Sequence, residues 1–175
     1  MNTDPTPSLD IDIRLVRADD LPRLEWEGEY QHYREVFRAN FDDMRRGQRL
    51  MWVAVRDDTL VGQIFCQFLS ADPAFADGQR RAYLYAFRVR APLQGRGIGS
   101  QLLVTAEREL LKRRFRTAVI AAAKDNPRAR EMYERRGYRV FAEDPGLWSY
   151  RNDQGQDVKV EEPAWLLQKS LEGSA

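Results

Sequence analysis

The sequence predicts an α/β (α+β) chain in which strands and helices share one core, and three observations carry that expectation. Short apolar or alternating runs of strand length are interleaved with longer runs whose apolar residues recur at helical spacing. A glycine-rich stretch, Gly95-Arg96-Gly97-Ile98-Gly99, stands between one such strand and one such helix. The chain has 175 residues, 43% of them apolar and 31% charged, which suits one core that buries about two thirds of the unfolded surface. The expected organisation is a polar tail at 1–9 and a single domain at 10–170.

The elements follow in order. Residues 11–17 (IDIRLVR) alternate apolar and charged side chains as a half-buried strand does, and Ala18-Asp19-Asp20 opens a helix near Leu21 and Leu24. A second helical stretch covers about 30–46. Residues 51–56 and 60–69 are strands joined through Asp57-Asp58 as a hairpin. Residues 82–90 (AYLYAFRVR) are a strand rich in aromatic and branched side chains that runs directly into the glycine stretch. Leu102, Leu103, Ala106, Leu110 and Leu111 then recur at helical spacing to about Arg114. Residues 117–123 read as a buried strand. Asn126-Pro127 is a cap followed by proline at the first helical position, Met132 and Tyr133 lie on that helix, and Gly137 ends it. Residues 138–141, 147–150 and 164–169 are expected as closing strands.

Net charge is +1, unevenly spread. Residues 1–77 carry 9 basic and 15 acidic side chains, 78–139 carry 16 and 5, and 140–175 carry 3 and 7. The glycine stretch therefore lies in a basic middle, as a polyanion site would, while Lys112, Arg113 and Arg114 read as a solvated helix face. The acidic flanks would repel phosphate, so no nucleic-acid partner is expected. No apolar run approaches the roughly 20 residues of a membrane span. The start, MNTDPTPSLD, lacks the basic and apolar regions of a secretory signal, and Cys66 is the single cysteine, which excludes an internal disulfide and a thiolate metal cluster. The expectation is a soluble cytoplasmic protein with no metal and no membrane partner.

Three glycines in five residues lose much conformational freedom on folding unless the chain must take positive φ or let a ligand approach its amides. A helix start offers unpaired N–H groups and a partial positive charge, so a strand, a glycine loop and a helix together make a cradle for a pyrophosphate, to which Arg96 adds a full charge. A P-loop is excluded because Ser100-Gln101 follows Gly99 in place of Lys-Ser/Thr. The dinucleotide fingerprint G-x-G-x-x-G misses this G-x-G-x-G by one residue, and its usual place at the first strand is missed as well.

Gln94-Gly95-Arg96-Gly97-Ile98-Gly99, preceded by a strand ending in valine and by a proline, resembles the Q/R-x-x-G-x-G/A signature of the GNAT N-acetyltransferases. Downstream, Asn126-Pro127-Arg128-Ala129-Arg130-Glu131-Met132-Tyr133-Glu134-Arg135-Arg136-Gly137-Tyr138 resembles that family's N-x-x-A-x-x-x-Y-x-x-x-G-F/Y helix, and order and spacing agree over about 11–141. The resemblance implies a mixed, largely antiparallel sheet of about seven strands, flanked by helices and splayed between strands four and five, here 82–89 and 117–123. It implies acetyl-CoA as cosubstrate. The pantetheine arm would pair with the main chain of Phe87, Arg88 and Val89, and the pyrophosphate would sit on the amides of Gln94, Gly95, Arg96, Gly97, Ile98, Gly99 and Ser100. Asn126 would lie near the cofactor while capping its helix. An amine acceptor is the second implied partner, and a homodimer is compatible with the family.

The implied activity is acyl transfer from sulfur to a primary amine of a small molecule, peptide or protein, by direct attack in a ternary complex. Such a reaction needs a neutral amine, a polarised thioester carbonyl and a proton for the departing thiolate. Tyr133 matches the family's general acid, and a main-chain N–H near Phe87 is the implied donor to the carbonyl. Many members carry a glutamate on the strand before the loop, where this chain reads Tyr83-Leu84-Tyr85-Ala86. The amine's proton must then leave through a water chain or through a carboxylate of the first helices, and Glu29 is favoured over Glu25 and Glu27. His32, the lone histidine, and Cys66 read as packing residues. Trp26, Tyr30, Trp148, Tyr150 and Trp165 either line an acceptor pocket or pack the core, and the acidic flanks suit a cationic acceptor. Two other classes stand beside this reading. A non-catalytic acyl-CoA-binding module would not need Tyr133, and a nucleotide-dependent oxidoreductase would need an acidic residue on 117–123 that is missing.

Overall fold

A computed structural model describes residues 9–171. Its strands in chain order are β1 (Asp12–Leu15), β2 (Arg49–Arg56), β3 (Thr59–Gln67), β4 (Arg81–Val89), β5 (Thr117–Ala123), β6 (Arg139–Asp144), β7 (Leu147–Arg151), β8 (Asp157–Glu161) and β9 (Ala164–Ser170). The α-helices are α1 (Arg34–Arg45), α2 (Ile98–Lys112) and α3 (Pro127–Arg135). The segment expected as a first helix, Ala18–Glu25, is a 3-10 helix with Pro22 inside it, where the missing N–H does not support an α-helical ladder. The stretch expected as one helix over 30–46 divides into a 3-10 turn, Gln31–Tyr33, and α1.

Seven strands form one sheet in the order β1-β2-β3-β4-β5-β9-β6, antiparallel throughout except for the parallel pair β4–β5. This is the mixed, largely antiparallel sheet that the sequence implies. One strand is placed differently: residues 147–150 do not close the sheet but pair with β8 in a separate hairpin. β8 is not among the expected strands, although Asp157-Val158-Lys159-Val160-Glu161 alternates charged and branched side chains with the same period of two as residues 11–17. The polar tail expected at 1–9 lies, but for its last residue, outside the described residues.

Both faces of the sheet are covered. Along β2, Leu50, Trp52 and Ala54 join a core with Leu102, Leu103, Ala106 and Leu110 of α2, while Met51 and Val53 join Phe37 of α1 and Leu24 on the other face. The strand therefore reads as a continuous apolar run, because the period-two alternation of side chains serves two cores at once.

The site is positioned by a failure of pairing. β4 and β5 are hydrogen-bonded only from Arg81 and Thr117 to Leu84 and Ile120, after which β4 continues through Val89 beside β3 while β5 continues beside β9. At the point of divergence β4 carries a bulge, in which Ala86 and Phe87 together oppose Ile64 and Ala86 adopts φ +50°. A bulge adds twist and bends its strand, so it turns β4 away from β5 and opens a V-shaped gap.

Candidate active site

The glycine stretch lies at the end of β4, beyond a 3-10 turn, Ala91–Leu93, and enters α2. Gly95 has φ +77° and Gly97, the residue capping α2, φ +87°, and a Cβ built on either would meet nothing within 4 Å. These two glycines supply left-handed backbone and leave open space in front of the helix amides. Gly99 serves packing: a Cβ there would lie 3.3 Å from Met132 Cε and 3.3 Å from Phe87 Cζ, so its bareness lets α3 and β4 close on the start of α2. Ile98 anchors the turn in the core, and the first turn of α2 carries no acidic side chain to oppose an anion.

Around this cradle the side chains are polar or cationic. Arg96 is exposed, and Arg136, at the end of α3, donates from Nη2 to Ser100 Oγ. The sequence does not single out Arg136, whose only signal there is a second arginine in the Arg135-Arg136-Gly137 helix end. Gln94 Nε2 donates to Val89 O at 2.9 Å, so one main-chain acceptor expected to face a pantetheine arm already holds a partner. Arg90 N donates to Val61 O at 2.8 Å, and strand alternation then turns the N–H and C=O of Val89 away from β3 and into the gap.

Tyr133 stands beside the cradle. Its helix begins at Asn126, whose Oδ1 accepts from Ala129 N at 3.2 Å, followed by Pro127 at the first position. The ring of Tyr133 stacks on Phe87 with centroids 6.1 Å apart and planes 22° apart. Burial pushes its hydroxyl up to about 12, and among the described residues no hydrogen bond holds that hydroxyl. It is therefore neutral at physiological pH and carries a proton that nothing among the described residues engages.

The acidic candidates separate cleanly. Glu25 is held by Arg34 through contacts of 3.0 and 2.7 Å, and Glu27 by Arg90 at 2.8 and 3.1 Å. Glu29 is exposed and its carboxylate makes no hydrogen bond or ion pair among the described residues, although its charge acts on Arg88. Two carboxylates not considered from the sequence, Asp144 and Glu162, act on the Tyr83 hydroxyl, which burial raises first of all. They come from the end of β6 and the link between β8 and β9, remote in sequence from the glycine loop.

The aromatic residues divide as well. Trp26 and Tyr30 meet edge to face at 5.3 Å; Tyr33 packs on His32, Trp148 and Tyr150 at 4.2, 6.2 and 4.9 Å, bringing the β7–β8 hairpin against the start of α1. Trp165 lies elsewhere, beneath Lys124 and Arg130. Arg88, expected to contribute its main chain, sends its side chain the other way: the guanidinium lies 3.3 Å from the Tyr30 centroid, with Trp26 at 5.1 Å and Phe37 at 5.6 Å. Cys66 is buried in the core, where desolvation raises its thiol far above the usual range. Among the described residues no group of three or more His, Cys, Asp or Glu side chains is placed to hold a metal ion. None of the described helices is long and apolar enough to cross a membrane.

The glycine stretch at the start of α2 and the buried Tyr133 both meet Phe87, beside the divergence of β4 and β5. Residues 15–138 match the model of the Acetyltransferase (GNAT) family, and the chain belongs to that family. Solved structures share its fold. The ribosomal-protein-S18-alanine N-acetyltransferase of Escherichia coli is 18% identical with TM-score 0.67, over 94% of this chain and 96% of its own. NAA60 of Arabidopsis thaliana, solved in complex with acetyl-CoA, is 19% identical with TM-score 0.68, over 93% and 99%. An aminoglycoside 6'-acetyltransferase type Ii is 22% identical with TM-score 0.64, over 94% and 99%. No curated protein matches the chain by sequence.

Proposed function

We propose that this chain, through a domain at 10–170, transfers the acetyl group of acetyl-CoA to a primary amine by direct attack in a ternary complex. The observation that carries the reading is Tyr133, neutral, buried and unengaged among the described residues, stacked on Phe87 at a cradle whose two positive-φ glycines leave helix amides open. The amides of 94–100 hold the pyrophosphate, with Arg96 and Arg136 beside them. The main chain of Phe87 and Val89 pairs with the pantetheine arm, whose amide shares Val89 O with Gln94 or displaces it; a carbonyl has two lone pairs. The Phe87 N–H polarises the thioester carbonyl, the amine attacks it, the C–S bond breaks, and the departing sulfur takes the Tyr133 proton. Asn126 lies near the cofactor while capping α3.

Glu29 receives the amine's proton in this reading, since it is the one carboxylate of the Glu25, Glu27 and Glu29 group not committed to an arginine among the described residues. The acceptor is a primary amine approached from the α1 side, where Tyr30, Tyr33, Trp148 and Tyr150 gather near acidic side chains, a setting suited to a cation. Similar structures are named for acceptors as different as an alanine of a ribosomal protein and an aminoglycoside. The test is free-thiol release from acetyl-CoA across a panel of peptide N-termini, lysine peptides, polyamines and amino sugars. Acceptor-dependent release supports the reading. Tight acetyl-CoA binding with no release for any class of amine would leave a binding module instead.

A further inference from the structure

Within the apolar run Leu60-Val61-Gly62-Gln63-Ile64-Phe65-Cys66 of β3, Gln63 is a polar side chain with no exposed surface. Burying an amide among apolar neighbours is unfavourable unless its donors and acceptor are bonded, so its partners show what it holds. Gln63 Nε2 donates to Ala86 O at 3.1 Å, and Gln63 Oε1 accepts from Arg88 Nη2 at 3.3 Å. Chemistry fixes this orientation of the amide: reversed, it would set oxygen against the carbonyl and N–H against the guanidinium.

Ala86 is the residue of the bulge that takes φ +50°, a conformation that non-glycine residues rarely adopt. Its carbonyl is turned toward Gln63. A peptide unit is planar and trans, so the C=O of Ala86 and the N–H of Phe87, which belong to the same unit, point in opposite directions. Whatever holds the carbonyl therefore aims the N–H. Arg88 holds Gln63 in turn, and the guanidinium is restrained on Tyr30, Trp26 and Phe37. No carboxylate pairs with it among the described residues, its bond to Leu24 O is long at 3.4 Å, and its Nε is buried without a hydrogen-bond partner. Burial disfavours this cation, and ring faces, Tyr30 and the charge of Glu29 offset that in place of a paired carboxylate, so the guanidinium is a weak source of stability whose bond to Gln63 is its side-chain link to β3.

Resting on the reading of an acetyl-CoA site, we infer that Gln63 is a positioning residue for acyl transfer: by clamping Ala86 O, with Arg88 behind it, it aims the Phe87 N–H at the thioester carbonyl of acetyl-CoA. The clamp acts through the bulge and does not touch the substrate. Because the protein's own side chains hold the carbonyl of Ala86, the donor needs no reorganisation when negative charge develops on the thioester carbonyl oxygen.

The test uses the full chain with [1-13C]acetyl-CoA and CoA as probes, and needs no acceptor. Isotope-edited infrared difference spectra read the hydrogen bond on the thioester carbonyl, and calorimetry reads the affinity of acetyl-CoA relative to CoA. In the parent protein the bound carbonyl band is expected below its position in free acetyl-CoA. The substitution Gln63→Glu keeps the side-chain shape and offers Arg88 an ion pair, but the carboxylate cannot donate to Ala86 O. The band of this variant is expected to return toward the free position, and the preference for acetyl-CoA over CoA to shrink several-fold, with CoA affinity within about twofold of the parent. Should that variant not fold, Gln63→Met combined with Arg88→Met replaces the polar pair with apolar side chains, and the same loss of shift is expected. A folded variant of either kind that retains the parent's band position overturns the inference. A parent that binds acetyl-CoA with an unshifted band overturns it too while leaving the cosubstrate reading intact, whereas a parent that binds no acetyl-CoA removes both.

Discussion

At the scale of single residues, burial decides what Tyr133 can do. Its raised value, about 12, keeps the proton in place over the range where amines react, so the group is an acid and not a base. Tyr133→Phe keeps the ring that stacks on Phe87 and removes the hydroxyl. The expected result in steady-state kinetics is a kcat lower by about 10² with little change in acetyl-CoA affinity by calorimetry. The same shift has a consequence for stability. A tyrosine whose folded value lies above its unfolded one contributes fully below about pH 10 and loses that contribution as pH rises through about 12. Thermal melts should therefore show a constant difference between parent and Tyr133→Phe up to about pH 10, changing against the parent beyond it. Glu29 makes a separate claim: Glu29→Gln should lower kcat/KM by about 10² with acetyl-CoA affinity by calorimetry unchanged. An unchanged kcat/KM would pass the role to water or to Asp144 and Glu162, the carboxylates whose charges act on Tyr83.

Elements set these residues in place, and the glycines of one loop do so in two ways. Gly97→Val introduces a side chain where a Cβ meets nothing within 4 Å, so the fold should survive with a penalty of about 1–2 kcal/mol for its positive φ, while acetyl-CoA binding is lost. Gly99→Val instead drives atoms into Phe87 and Met132, and the larger loss should be in stability, visible as a lower midpoint in denaturant. Comparing the two variants by urea unfolding and calorimetry separates cradle from packing. The cap on α3 is a third case: Asn126→Ala removes the bond to Ala129 N and should cost about 1 kcal/mol, a fall in Tm of roughly 2–4 °C for a chain of this size.

Across the whole molecule, the parts legible in the sequence are those encoded by consecutive residues. The loop from Gln94 to Ser100 and the helix from Asn126 to Gly137 announce themselves because glycine, proline and asparagine are chosen by local backbone geometry, and β5 lies at Thr117–Ala123, where its apolar run places it. What is not legible depends on chain segments meeting from afar. Arg136 reaches Ser100 and Gln63 reaches Ala86 across sequence separations that no local pattern marks, and Gln63 reads merely as a polar interruption of an apolar strand. Residue type groups Trp165 with Trp26 and Trp148, whereas pairing of β9 with β5 and β6 carries it away from them. The β7–β8 hairpin stands apart from the main sheet for the same reason: strand periodicity shows a strand and not its neighbour. The gap between β4 and β5, with the glycine loop at its mouth, is the feature on which every proposed role depends. Calorimetric titration of acetyl-CoA into the parent protein and into Gly97→Val tests it most directly, with NAD as the control ligand. Binding of acetyl-CoA but not NAD by the parent, weakened by about 100-fold or more in a folded Gly97→Val, is the expected result; equal affinity in the two proteins, or a parent that binds NAD and not acetyl-CoA, would contradict it.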